Sequence, residues 1–150
     1  MPSGRSSCFV DTSVIVYSVD PRDRKKQRRA VSLLSLTIGN GTLVLSPQSL
    51  NETYRVISDK RFLMARPAAR DFVGKLAPFS TAPLDYSALQ NAWLLQDETN
   101  YNIWDCLLLA SASLAGCEYF FSEDLHHERQ ILNLKILNPF ALETIDHLPI

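Results

Sequence analysis

At 150 residues, with 46% apolar and 21% charged content, the chain is sized and composed for one globular domain, and its eight prolines are too few to imply disorder. No stretch is apolar for long enough to span a membrane, the opening Met1–Ser7 lacks the apolar core of a secretory leader, and three cysteines without metal-ligand spacing exclude a disulfide framework or a zinc site. A net charge of −1 conceals an asymmetry: residues 1–75 hold thirteen of the fifteen bases and six of the sixteen acids, a net of +7, leaving −8 for residues 76–150. The expectation is a soluble cytoplasmic protein, with a basic region near an acidic centre.

In chain order, Cys8–Val10 is a brief apolar run that reads as a buried strand. Asp11 stands at its carboxyl end, either as a turn former or as a residue of a ligand crevice. Thr12 and Ser13 follow as candidate caps for a helical turn. A helix is expected over Asp23 to Ile38, with Ala30, Val31, Leu34 and Ile38 facing inward and Gly39-Asn40-Gly41 as its stop. Its first half is densely basic, from Arg22 to Arg29. Two readings stay open there: a solvated face, or a patch contacting phosphates or a partner.

Thr42 to Leu45 reads as a second strand, and Ser46-Pro47 as the cap and first residue of another helix. That helix carries Leu50, Tyr54 and Ile57 on one stripe and ends near Asp59-Lys60-Arg61. Glu52 lies about 200° from Leu50 at roughly 100° per residue, so local periodicity puts it in solvent. A short helix is expected over Pro67 to Leu76, then a poor edge-strand candidate between Pro78 and Pro83. Asp85 or Ser87 starts a helix running to about Glu98, with Ala88, Leu89, Ala92, Trp93 and Gln96 inward. Asn100-Tyr101-Asn102 is a turn. Ile103 to Ala115 is apolar nearly all round, so it is a buried helix stopped by Gly116, with Asp105 in its first turn. Glu118 to Phe121 is a strand ending in Ser122-Glu123-Asp124, which repeats the opening arrangement. Leu134 to Leu137 is the last strand, closed by Asn138-Pro139. Cys8, Cys106 and Cys117 lie in apolar runs and read as small core residues.

Strands alternating with helices imply an α/β fold, a three-layer α/β/α sandwich around a mostly parallel sheet. If the strands ending in Asp11 and Asp124 are neighbours, both acids reach one crevice, and the buried helix delivers Asp105 to the same sheet edge. Carboxylates so gathered repel unless a cation neutralises them, and an all-oxygen set favours Mg²⁺ or Mn²⁺.

These motifs together resemble the PIN domain family of the VapC type, the toxin half of bacterial toxin–antitoxin pairs. The matching segments are Val10-Asp11-Thr12-Ser13, Ser49-Leu50-Asn51-Glu52, Ile103-Trp104-Asp105-Cys106-Leu107-Leu108 and Phe121-Ser122-Glu123-Asp124, within a span from about Cys8 to Pro139. Residues 140–150 would be a C-terminal tail to a single domain. The resemblance brings Glu52 into the site against its local pattern. It implies a Mg²⁺- or Mn²⁺-dependent endoribonuclease with Asp11 and Asp105 as main metal ligands. Glu52 and Asp124 would complete the pocket, with Thr12, Ser13 and Ser122 in support. An RNA substrate, an antitoxin partner and a homodimer are implied as well.

An acidic pocket needs basic residues to draw RNA in, and Arg5, the Arg22–Arg29 cluster with Arg24, Lys25 and Arg28, Lys60, Arg61, Arg66 and Arg70 are the candidates. His126 and His127 read as surface loop residues, and His147 carries no signal. Two alternatives were weighed. Another Mg²⁺-dependent phosphoryl-transfer family is disfavoured: a haloacid-dehalogenase-like site needs an acid where Ser13 stands, and a receiver-like site needs a lysine where Asn138-Pro139 stands. A non-catalytic PIN-like binding module predicts lost acids, whereas all four are present.

Overall fold

The computed structural model describes residues 4–150. Five strands, β1 (Cys8–Val10), β2 (Leu43–Val44), β3 (Tyr119–Phe121), β4 (Gln130–Ile131) and β5 (Leu134–Leu137), form one sheet in the order β2-β1-β3-β5-β4. All neighbours are parallel except β4, which runs antiparallel to β5. The helices are α1 (Thr12–Tyr17), α2 (Arg24–Gly39), α3 (Pro47–Arg55), α4 (Arg66–Leu76), α5 (Tyr86–Thr99) and α6 (Ile103–Leu114).

Both faces of the sheet are covered, as period-2 side chains in a parallel sheet require. Phe9, Val44, Phe120, Leu134 and Ile136 point to the layer of α5 and α6, where Phe9 and Phe120 stack at 5.3 Å between ring centroids. Their neighbours Cys8, Val10, Leu43, Phe121 and Leu137 point the other way, against Val14 and Ile15 of α1 and Ala30, Leu33 and Leu34 of α2. The three-layer α/β/α expectation therefore stands. The three cysteines are buried and unpaired. Among the described residues no helix is long and apolar enough to cross a membrane.

Several local expectations are corrected. On α2 it is Leu33 and Thr37 that join Ala30 and Leu34 inside, while Val31 and Ile38 are largely exposed. On α5, Leu95 is buried and Trp93 turns outward. Pro78 to Pro83 is no strand: a 3₁₀ turn, Ala77–Phe79, leads into a lone parallel bridge between Ser80 and Leu45 at the sheet's outer edge. The helix after β2 gives way to a π-helical turn, Val56–Lys60, closed by the Arg61 N–H bonding the Val56 carbonyl at 2.8 Å. Strand β4 has no counterpart in the sequence reading. Its turn to β5 passes through Leu132 at φ 55, where Gly or Asn is the usual signal. Residues 140–150 are more than a tail, because Ile145 and Ile150 are buried against the α2 layer. The Arg29 guanidinium donates to the carbonyls of Pro139 at 2.7 Å, Leu142 at 2.8 Å and Glu143 at 3.0 Å.

Candidate active site

The order β2-β1-β3 reverses direction at β1, so a crevice opens at the carboxyl ends of β1 and β3, the switch point where open α/β sheets bind ligands. Val10 pairs with Phe121, and the Asp11 N–H continues that ladder to the Phe121 carbonyl at 2.9 Å. Asp11 and Ser122 are therefore side by side. The Ser122 hydroxyl donates to Asp11 Oδ2 at 2.8 Å and accepts from the Asp124 N–H at 3.2 Å, so one buried hydroxyl fixes both acid-bearing strand ends.

Asp11 is the N-cap of α1 and accepts from the Thr12 N–H at 2.7 Å, so the cap is the acid and not the hydroxyls after it. Thr12 instead donates its hydroxyl to Glu52 Oε2 at 3.3 Å. Ser13 Oγ, two residues after Asp11, is buried with no hydrogen-bond partner. Glu52 is half-buried, contrary to its local periodicity. The cause is the inner face of α3, which is polar: Gln48, Ser49 and Thr53 are its buried residues. Gln48 Nε2 donates to Glu52 Oε1 at 3.0 Å and to the Trp104 carbonyl at 3.1 Å, linking α3 to the start of α6. There Asn102 caps α6 through the Asp105 N–H at 2.9 Å, and its amide donates to Asp105 Oδ2 at 2.9 Å. Gln48 and Asn102 were not picked out from the sequence as site residues. The asparagine before an apolar helix was the available signal, since it is a standard cap.

The electrostatics join the four acids into one neighbourhood. Burial pushes the Asp11 carboxyl up to about 7; the Ser122 hydroxyl and the Thr12 N–H oppose the rise, while Asp105 and Asp124 add to it. Asp105 is raised first by burial and then by Asp124 and Glu52, against the stabilising Asn102 amide. Asp20 offers the internal contrast. It is as little exposed to solvent as Asp11 (2% against 6%), yet Arg22 and Arg61 hold its carboxyl below the usual range. Among the described residues no lysine, arginine or histidine pairs with Asp11, Glu52, Asp105 or Asp124.

An all-oxygen donor set of this kind suits a hard divalent cation, and the orphaned Ser13 hydroxyl marks an unfilled polar demand beside it. Among the described residues no three such side chains stand close enough to enclose an ion unaided. Asp11 is buried, Glu52 and Asp105 are partly buried and Asp124 is exposed. An ion there would take few carboxylates and keep several waters, as Mg²⁺ does.

Of the basic candidates, Arg24, Lys25 and Arg28 are exposed on α2, Lys60 is exposed in the π turn, and Arg22 is paired with Asp20 at 2.8 Å. Arg61 is committed to Asp20 at 3.0 Å and lies over the Tyr17 ring. Lys26 pairs with Glu123, next to Asp124, and Tyr17 donates to the same carboxylate at 3.2 Å. Lys25, Lys26, Arg28 and Arg29 face Phe140, Leu142 and Glu143 across a groove of about 670 Å³. Arg70 lies over the Tyr54 ring, and Arg5 donates to the Ile150 carbonyl. His126 is exposed, stacks on Tyr101 and shares a 2.6 Å hydrogen bond with its hydroxyl; His127 Nδ1 accepts from the Asn138 N–H at 2.8 Å.

A protein-family model described as "PIN domain" matches residues 8–130. No curated protein matches the sequence. Among solved structures, the chain is similar to VapC20 of Mycobacterium tuberculosis, described as a sarcin-ricin loop cleaving toxin, at TM-score 0.60 and 19% identity over 79% of this chain and 92% of that one. It is also similar to VapBC2 from Rickettsia felis bound to a DNA fragment from its promoter, at TM-score 0.62 and 14% identity over 86% and 96% of the two chains. With the family model spanning most of its length and its fold shared with these structures, the chain belongs to the PIN domain family, in the VapC-type form of the fold.

Proposed function

We propose that the chain is a Mg²⁺- or Mn²⁺-dependent endoribonuclease and the toxin component of a VapBC-type toxin–antitoxin pair. The observation that carries the reading is the contrast between two aspartates that are both shielded from solvent. Asp20 is neutralised by arginines, whereas Asp11 shares its crevice with three further acids and no cationic side chain among the described residues. A structural carboxylate is not left so exposed to like charge unless something else neutralises it. Family membership and the likeness to VapC20, a sarcin-ricin loop cleaving toxin, support the same reading.

Asp11 and Asp105 would hold the ion, with Glu52 and Asp124 completing the set directly or through water. A bound divalent ion supplies charge neutralisation at the phosphate oxygens and acidifies a water for in-line attack. The protein's own part is orientation. The Thr12 N–H and the Ser122 hydroxyl fix the two oxygens of Asp11, and Thr12 and Gln48 fix those of Glu52. Asn102 fixes Asp105. Such partners keep the donors aimed, and keep Asp11 nearer to its charged form than burial alone allows.

Asp11→Asn and Asp105→Asn should each lower cleavage of a single-stranded RNA by more than the roughly 100-fold that loss of an outer partner costs, while leaving the circular dichroism spectrum unchanged. EDTA should stop cleavage, and Mg²⁺ or Mn²⁺ should restore it. Persistent activity in chelator would remove the metal mechanism. The antitoxin proposal rests on the VapBC2 complex and is tested by whether a small neighbouring gene product co-purifies with the chain and suppresses its cleavage.

A further inference from the structure

We propose that Trp104 is a stacking platform for an unpaired nucleobase of the RNA, seated in a groove beside the acid cluster; this rests on the ribonuclease reading above. Helix α6 is strongly apolar and largely buried, yet Trp104 in its first turn is 61% exposed. It immediately precedes Asp105. Its backbone carbonyl accepts from the Gln48 amide that also donates to Glu52, so the backbone that carries the indole is tied to Glu52 as well as to Asp105.

The indole lines a groove of about 570 Å³ with Pro47, Gln48, Asn51, Leu84 and Tyr86. No lysine or arginine lines it. The one charged residue there, Asp85, is engaged in capping α5 through the Ala88 N–H at 3.0 Å. Such a surface has nothing to attract a phosphate. It offers flat apolar area with two amides, Gln48 and Asn51, at the edge. A nucleobase matches it: an uncharged ring with polar edges, joined through its sugar to the phosphate that the acid cluster would engage. The favoured occupant is thus a base and not a protein helix, because one ligand satisfies both the apolar groove and the adjoining acids. Base–aromatic stacking of this kind is tolerant of sequence and discriminates against paired RNA, whose bases are already stacked.

The test uses the full chain in an Asp11→Asn background, so that cleavage does not consume the probe. Trp93→Phe then leaves Trp104 as the sole tryptophan. Titration with a 12-nucleotide single-stranded RNA containing all four bases should quench its emission saturably. An abasic oligomer of the same length should bind about 5- to 150-fold more weakly. Trp104→Ala should raise the RNA Kd, read by anisotropy of a labelled probe, over the same range, and Trp104→Phe should recover most of the loss. With Asp11 restored and Mn²⁺ present, Trp104→Ala should raise KM by more than it lowers kcat. An unchanged Kd for a folded Trp104→Ala protein overturns the proposal, even while the wild type cleaves RNA. So does a variant whose RNA affinity is intact but whose dimer or antitoxin complex dissociates. Quenching by RNA in the Trp93→Phe chain, while the wild type never cleaves RNA, would instead sink the ribonuclease reading and leave the stacking site standing.

Discussion

At the scale of single residues, Asp11 has consequences that reach beyond catalysis. Its carboxyl, pushed up to about 7, is raised above the ordinary value of 3.8, so between those values the folded chain binds more protons than the unfolded one. Stability of the metal-free protein should therefore fall as pH rises from about 4 to about 7, by roughly 4 kcal/mol at about 1.4 kcal/mol for each unit. Urea denaturation in EDTA measures this, and Asp11→Asn should flatten the slope and stabilise the chain at pH 8. A slope unchanged by the substitution would mean that Asp11 is not buried as described. Ser122→Ala tests the support of that carboxylate. It removes the donor to Asp11 Oδ2 and the acceptor for the Asp124 N–H together, and should cost about 10- to 100-fold in cleavage, with metal affinity falling in parallel. Wild-type cleavage and metal affinity would reduce Ser122 to a core hydroxyl.

Elements show which parts of the fold were legible in the sequence. Strands β1 and β3 were readable because a strand buried on both faces is a short apolar run; β5 was readable from Leu134, Ile136 and Leu137 around an exposed Lys135, and Val10, Phe121 and Leu137 each end a strand next to a polar residue. The strand-end acids were readable for the same reason. Strand β4 was not, since Leu132 occupies a left-handed turn position without the residue that advertises one. Glu52 was hidden by a different cause. Periodicity detects apolar stripes, and α3 turns Gln48, Ser49 and Thr53 inward. Only the family resemblance placed Glu52 with the other acids. The C-terminal segment was under-read because Ile145 and Ile150 are isolated apolar residues without a repeat, and their partners lie across the molecule in the α2 layer. Ile145→Ala should cost roughly 2–4 kcal/mol in urea unfolding. A change below about 0.5 kcal/mol, the size expected of an exposed site, would return residues 140–150 to a loose tail.

For the molecule as a whole, the uneven distribution of charge along the sequence brings the basic start of α2 to the acidic segment after β3. The two meet where Lys26 of α2 pairs with Glu123, beside Asp124. Arg24, Lys25 and Arg28 remain exposed on the outer side of that junction. Reversing their charge together should weaken RNA or antitoxin binding and flatten the salt dependence of RNA affinity, because fewer phosphate counterions are released. Affinities unmoved by the reversal would make that helix face a solvated surface only. The account depends most on the four carboxylates acting as one cation site. Titration of Mn²⁺ into the metal-free chain, followed by electron paramagnetic resonance of the free ion, tests this most directly. Saturable binding that is lost in Asp11→Asn and in Asp105→Asn, with both variants folded, is the predicted result; binding that survives both substitutions, or no binding to the wild type at millimolar Mn²⁺, contradicts it.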